Sequence, residues 1–277
     1  MRTRNARDCR CSYVVLLEKN GGTGELRELG NYLSSLGVAG CDVVVLDPAP
    51  RPVFESNGRI LRWVARHEAV KPEHCTPTGL LDRVRAAASV AACEKVIVAS
   101  EDIRYSLDAI GRLQDLLDTH EVVEPQDYLE PLPWWGSIEA GRILLHRGIE
   151  PQPDHAATFG FRRSALRTMR VFHGTESIDD PVLRLAAAGA EVFVATELFV
   201  RRQPGTFDEW IEERPRLAGD DFSLPFKSAF FFSIAPLLLL LGFFGGLRLA
   251  GLYAGIIAFA SIGLALPGRA GAPGFFS

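Results

Sequence analysis

The stretch that decides the fold runs from Tyr13 to Pro48, YVVLLEKNGGTGELRELGNYLSSLGVAGCDVVVLDP. Its opening run, Tyr13 to Leu17, is short, apolar and rich in β-formers. It breaks into the loop Glu18-Lys19-Asn20-Gly21-Gly22, after which Thr23 caps a helical stretch. Leu26, Leu29, Leu33 and Leu36 recur there at spacings of three and four, the signature of one apolar helix face. Gly37 stops the helix, and a second β-run, Asp42 to Leu46, ends at Asp47-Pro48. Strand, helix and strand joined by short connectors predict a βαβ unit and hence a mostly parallel sheet flanked by helices.

The alternation continues outward. A proline-bounded loop predicts a third strand over Ile60–Ala65. Leu80–Ala92 reads as an alanine-rich helix, and KVIVA (Lys95–Ala99) as a buried strand ending in Ser100-Glu101-Asp102. Leu107–Leu117 carries Leu107, Ile110, Leu113, Leu116 and Leu117 on one helical face, and Val122–Val123 marks another strand. The texture then changes to a proline- and aromatic-rich segment, Pro125–Trp135, followed by an amphipathic Ile138–His146. Thr158–Phe161 leads into Arg162-Arg163 and a short helix. Asp179–Ala188 is helical, Glu191–Ala195 a strand, and Phe207–Leu217 a helix.

At 277 residues the chain is long enough for one sizeable core plus additions. A formal net charge of -4 argues against a nucleic-acid binder, which needs a basic face. Cys9 and Cys11 form a CxC with no second pair or histidine at ligand spacing, so the scattered cysteines read as reduced thiols of a cytoplasmic domain rather than a zinc site. No secretory signal follows the basic N-terminal tail. The C-terminal end differs: SAFFFSIAPLLLLLGFF (Ser228–Phe244) and LAGLYAGIIAFASIGLAL (Leu249–Leu266) are uncharged, and each would span roughly 25 Å as a helix. They predict a membrane hairpin over 228–266, behind an α/β domain over 12–224, with tails at 1–11 and 267–277. Arg201, Arg202, Arg214, Arg216 and Lys227 before the hairpin, and Arg269 after it, place both ends on the cytoplasmic side, with Arg248 in the turn on the far side if the hairpin spans the bilayer, or at the near surface if it is re-entrant or interfacial.

Ligands of open parallel sheets bind beyond the carboxyl ends of the strands. Acidic residues stand at three such ends: Glu18, Asp47 and the Glu101/Asp102 pair. They are candidates for hydrogen bonds to a base or ribose, or for a divalent cation bridging a diphosphate, and each alternatively caps the helix that follows. Neither GxGxxG nor GxxxxGK[ST] occurs, so a dinucleotide site and a P-loop are both unsupported.

The order of these segments resembles the family 2 glycosyltransferases of GT-A fold, over roughly residues 12–218. VVLLEKN is similar to the family's opening strand, with Asn20 at its asparagine. VVVLDPAP resembles the segment whose aspartate contacts the nucleotide, here Asp47, with Pro48 replacing a second aspartate. KVIVASEDIRY resembles the strand delivering the metal-binding DxD; Ser100 replaces the first aspartate and Asp102 matches the second. Gly79 is followed by Leu80 where the family often has a lysine. TESIDDPVLRLAAAGAEVFVATE resembles the acidic pair, helix, glycine and strand that carry the catalytic base. DEWIEERPRLAGDD resembles the QxxRW region, with Glu213 replacing the glutamine, Arg216 matching the arginine and Leu217 replacing the tryptophan.

The resemblance implies an inverting transfer from a UDP- or GDP-sugar to an acceptor hydroxyl. Asp180 or Asp179 is then the base, and Asp102 holds Mg²⁺ or Mn²⁺ with Glu101 beside it. Arg214 and Arg216 are candidate diphosphate ligands, since guanidinium forks match phosphate oxygens; anionic lipid is their other natural partner. Trp134 and Trp135 are candidate walls for a lipid, lipid-linked or glycan acceptor, or core packing. Two rival readings remain: a GT-A-like membrane protein that binds nucleotide or a partner without catalysis, and a nucleotidyltransferase. The second would carry a basic glycine-rich loop after the first strand, where this chain has a single lysine.

Overall fold

A computed structural model describes residues 10–17, 23–70, 80–149, 157–168, 182, 185–186, 189–221 and 225–268. The decisive stretch forms β1 (Ser12–Leu16), α1 (Thr23–Val38) and β2 (Asp42–Asp47). There follow α2 (Arg51–Leu61), β3 (Arg66–Ala69), α3 (Leu80–Val90), β4 (Lys95–Ser100), β5 (Ile103–Arg104), α4 (Leu107–Thr119) and β6 (Val122–Leu129). Then come α5 (Gly136–Ile149), β7 (Thr158–Arg162), α6 (Arg163–Thr168), β8 (Val192–Arg202), α7 (Phe207–Asp221) and α8 (Pro225–Gly268). The chain divides into two compact units, residues 1–130 with 152–203, and residues 131–151 with 204–277.

The first unit is built on an eight-stranded sheet of order β3-β2-β1-β4-β7-β6-β8-β5. Strands β1 to β4 run parallel, as does β6 with β8, whereas β7 is antiparallel to both its neighbours and β5 to β8. Both faces are covered. Tyr13 and Val15 of β1 join Leu29, Leu33 and Leu36 of α1 and Leu113 and Leu117 of α4 in one core. Val14 and Leu16 point the other way, into a core with Val84 and Ala87 of α3 and Phe161 of β7. A strand buried on both faces has no polar side, which is why β1 reads as a continuous apolar run. Each fully buried side chain of this kind contributes about 1.5–3 kcal/mol. Ser106 caps α4, its hydroxyl accepting from the Ala109 N–H at 3.1 Å. Gly160 on β7 lets α4 approach: a Cβ there would lie 3.0 Å from Leu117 and 3.1 Å from Leu113.

Three elements depart from the sequence pattern. The strand expected over Ile60–Ala65 is instead the last two residues of α2 and the turn after it, because Pro50 and Pro52 start a helix: Pro50 is its N-cap and Pro52 stands in the first turn, where a missing N–H costs nothing. The third strand is Arg66–Ala69, a polar sheet edge that no apolar run announces. Strand β6 continues from Val122–Val123 through Pro125 to Leu129, with its pairing to β8 shifting register between Pro125 and Gln126. Of the expected helix over Asp179–Ala188, Val182, Leu185 and Ala186 are helical and the rest lies outside the described residues. Cys11 and Cys41 are free thiols with sulfurs 3.7 Å apart, whereas Cys93 is disulfide-bonded, unlike the reduced set that the sequence predicts.

The second unit holds α5, α7 and α8. Phe232–Pro267 of α8 has a mean hydropathy of 2.1, with none of its most apolar stretch buried, and by length and composition it suffices to cross a membrane. Gly246 interrupts it at φ 76°, ψ 170°, a backbone state that favours glycine. A Cβ placed on Gly242 would sit 3.7 Å from that of Ala250. Eight residues of straight helix would separate them by about 12 Å, so the chain folds back at Gly246 into a hairpin. Helix α5 packs against it.

Candidate functional site

The parallel register sets two candidate carboxylate positions side by side. Leu16 pairs with Leu46 on one flank and with Ser100 on the other. One residue further along, Asp47 and Glu101 therefore leave the sheet on either side of Leu17, at the carboxyl ends of β2 and β4. Their neighbourhoods are not alike.

Asp47 is buried and heavily engaged. Its Oδ1 accepts from the Ala49 N–H at 2.8 Å, and its Oδ2 accepts from Asn57 Nδ2 at 2.9 Å and faces His67 Nε2 at 2.9 Å. Burial alone would raise this carboxyl, but the hydrogen bonds from His67, Asn57 and Ala49 hold it below the usual carboxylate range. His67, itself buried, stacks on Phe54 at 4.1 Å between ring centroids. Three of about four acceptor positions on Asp47 are thus spent joining β2, α2 and β3.

Asp102 lies in the turn between β4 and β5. Arg202 Nε, at the end of β8, donates to its Oδ2 at 2.7 Å, and Arg202 Nη1 lies 3.5 Å from Asp127 Oδ2 on β6. The Asp102 carbonyl accepts from the Gln203 N–H at 2.8 Å. Its Oδ1 is buried and has no hydrogen-bond partner among the described residues. Beside it, the buried Arg104 guanidinium donates to the carbonyls of Glu101 and Ile103, to Gln203 Oε1 at 2.8 Å and to Glu28, and lies 5.0 Å over the Tyr32 ring. Its hydrogen bond holds the Glu28 carboxyl below the usual range.

Mg²⁺ and Mn²⁺ are commonly held by one or two carboxylates with substrate phosphates and water completing the shell. Among the described residues no group of three His, Cys, Asp or Glu side chains converges, so an all-protein cage is not formed. A single free, buried carboxylate oxygen on Asp102 fits the sparser arrangement. Asn20, Asp179 and Asp180 lie outside the described residues, as does the side chain of Arg216.

The other predicted site residues belong to the second unit. Arg214 Nη1 pairs with Glu139 Oε2 at 2.7 Å and its guanidinium lies 4.7 Å over Trp210. Trp210 Nε1 donates to the same Glu139 oxygen at 3.1 Å, and Arg142 reaches Glu139 Oε1 at 2.8 Å. Burial would raise the Glu139 carboxyl, but Arg142, Trp210 and Arg214 hold it low. Trp135 is buried and stacks on Trp210 at 5.2 Å, whereas Trp134 is 76% exposed and tilts against Phe207 at 4.9 Å. Sequence reasoning passed over Arg104, Asn57, Asp127, Glu28, Glu139, His67 and Gln203, and counted Arg202 among the charges flanking the hairpin. The sequence pattern ends the last strand at Ala195, whereas β8 runs on to Arg202, so nothing local marked Arg202 as a strand-end residue.

No protein-family model matches the chain, and no curated protein matches it. Among solved structures it is similar to a mannosyltransferase from Pyrobaculum calidifontis in complex with GDP-Man and Mn²⁺. That alignment has a TM-score of 0.54 and 16% identity over 91% of this chain and 80% of that one. Glucosyl-3-phosphoglycerate synthase from Mycobacterium tuberculosis, in complex with Mn²⁺ and UDP-glucose, aligns at a TM-score of 0.48 and 15% identity over 79% of this chain and 82% of that one. The first likeness shows the fold: a GT-A sheet flanked by helices, with an apolar C-terminal hairpin appended.

Proposed function

We propose that the chain is a membrane-associated, family 2-like glycosyltransferase moving a sugar from a UDP- or GDP-sugar to an acceptor hydroxyl with inversion. The observation that carries this reading is a GT-A sheet with Asp102 in the turn after β4, one of its buried oxygens having no hydrogen-bond partner among the described residues. The nucleoside diphosphate would lie across the carboxyl ends of β1, β2 and β4, with Asn20, Asp47 and Glu101 lining it. Asp102 would hold Mg²⁺ or Mn²⁺, which when bound neutralises charge growing on the diphosphate leaving group. Asp180, or Asp179, would take the proton from the acceptor hydroxyl as that oxygen attacks the anomeric carbon. Trp134 and Trp135 are proposed for a lipid, lipid-linked or glycan acceptor.

Arg216 remains the proposed diphosphate ligand of its helix; Arg214 would join it only by leaving Glu139. The hairpin is proposed to seat the enzyme in a membrane with both ends cytoplasmic. A C-terminal reporter active only in the cytoplasm decides it by its presence or absence of signal.

Isothermal titration of the full chain in detergent tests the activity reading, using UDP, GDP and their sugar conjugates with and without Mn²⁺. Metal-dependent binding of one nucleotide, lost in Asp102→Ala, is the expected result. Absence of binding under every condition would remove the transferase reading.

A further inference from the structure

Asp102 and the residue before it are fixed by three groups, two of them distant in sequence. Two come from consecutive residues at the end of β8: the Arg202 side chain grips Oδ2 at 2.7 Å, and the Gln203 N–H grips the main-chain carbonyl at 2.8 Å. The third, Arg104, donates to the carbonyl of the preceding residue, Glu101, and is itself fastened to the Gln203 side chain at 2.8 Å. Main chain and carboxylate are thus fixed together. Arg202 contacts the carboxylate through Nε at one oxygen, while its Nη1 turns towards Asp127. A fork-on-fork pairing would have occupied both oxygens. Here Oδ1 stays buried without a partner among the described residues, a costly condition that persists where something else completes it.

We propose that Arg202 is a positioning residue: it orients the Asp102 carboxylate so that Oδ1 is presented to a divalent cation. This rests on the reading of Asp102 as the cation-facing carboxylate. The arrangement also accounts for how Asp102 works without an aspartate at Ser100, since its aim is set from β8 and not by a neighbour in its own motif. Asp127 belongs to the device. It draws the far end of the guanidinium away from Asp102 and balances its charge, so the cation site is not left facing an uncompensated positive group.

Electrostatics makes the proposal sharp, because the two roles open to Arg202 predict opposite signs. A guanidinium that merely neutralised Asp102 would repel a second cation, and its removal would tighten Mn²⁺ binding. A guanidinium that aims the carboxylate would, on removal, weaken Mn²⁺ binding about 10- to 100-fold, the usual loss when an outer hydrogen-bond partner of a metal ligand is deleted.

The experiment measures Mn²⁺ by electron paramagnetic resonance on the full chain in detergent, alone and with UDP or GDP. Wild type is compared with Arg202→Met, Arg202→Lys and Asp127→Asn, with thermal melting to confirm folding. Weakened Mn²⁺ binding in Arg202→Met is expected, with an intermediate loss in Arg202→Lys, a smaller one in Asp127→Asn, and metal-free nucleotide affinity unchanged within about twofold. Unchanged or tighter Mn²⁺ binding in folded Arg202→Met, or no Mn²⁺ binding by wild type under any condition, would overturn the proposal. If wild type binds Mn²⁺ and Arg202→Met loses it while neither protein binds a nucleoside diphosphate, the positioning role stands and the transferase reading falls.

Discussion

The edges of the sheet at β2 and at β4 offer the same signal, an acidic residue just beyond a buried parallel strand, and put it to different use. Asp47 is saturated by Ala49, Asn57 and His67, all from its own strand-helix-strand segment. Asp102 is gripped at one oxygen by a residue 100 positions away, while its other oxygen, also buried, has no hydrogen-bond partner among the described residues. A carboxylate whose lone pairs are filled locally ties elements together. One that is half filled from a distance leaves an acceptor position over, and it is there that the cation is proposed to bind. The difference teaches that a strand-end acid is judged by the count and origin of its donors, not by its place on the strand.

The strongest way to break this comparison is to remove Asp47. Asp47→Ala strips the acceptor from buried His67, from Asn57 and from the Ala49 N–H. Unpairing a buried, hydrogen-bonded group costs about 3–5 kcal/mol, so denaturant unfolding of the variant should show a loss of that size. Asp102→Ala should lose far less stability, because Arg202 keeps Asp127 nearby. Equal midpoints for Asp47→Ala and wild type would show that the Asp47 network is not a structural tie.

Next in size is the functional effect at the other edge. Asp102→Ala is expected to weaken Mn²⁺-dependent nucleotide binding at least about tenfold, or roughly 1.4 kcal/mol. A stable Asp102→Ala protein that titrates like wild type would erase the distinction drawn here between the two carboxylates.

The acid limb sharpens the same contrast. Against the effect of burial, hydrogen bonds from His67, Asn57 and Ala49 hold the folded Asp47 carboxyl below its ordinary range. A group depressed in the folded state stabilises fully above its unfolded value, about 3.9, and that contribution is lost as pH falls through the folded value. The melting-temperature gap between wild type and Asp47→Asn should therefore be constant near neutrality and narrow below about pH 4. A gap of constant width down to pH 3 would dismiss the linkage.

The frame of the fold was legible because its signals are local. The leucines of α1 and the two-sided apolar runs of β1, β2 and β4 declare themselves within a few residues, as does the uncharged hairpin with its glycine turn. Strand β3 was hidden because an exposed edge needs no apolar residue, and α2 because proline reads as a loop until it is placed in a first helical turn. The site was half legible for a similar reason. Asp102 stands at the end of an obvious strand, but Arg202 is brought to it only by the β5–β8 pairing, in which Ile103 faces Arg202. A contact set by topology leaves no mark on periodicity, so Arg202 looked like one more positive charge before a membrane segment. Glu139 and Trp210 were missed likewise: each lies on a helix that was foreseen, and their meeting is a fact of packing.

The smallest expected effect is that of Trp134, which with its neighbour Trp135 repeats the contrast in the second unit. Trp135 is buried against Trp210, and its replacement by alanine removes core volume, costing about 3–5 kcal/mol. Trp134, 76% exposed and touching Phe207, should lose no more than about 0.5 kcal/mol on the same change, within the range of ordinary surface substitutions. An indole kept at the surface with so little effect on folding is free to serve an acceptor, so Trp134→Ala should raise KM for the acceptor while the KM for donor and the melting temperature hold. If instead Trp134→Ala unfolds the protein as readily as Trp135→Ala, both rings are packing residues and the acceptor role proposed for Trp134 is lost.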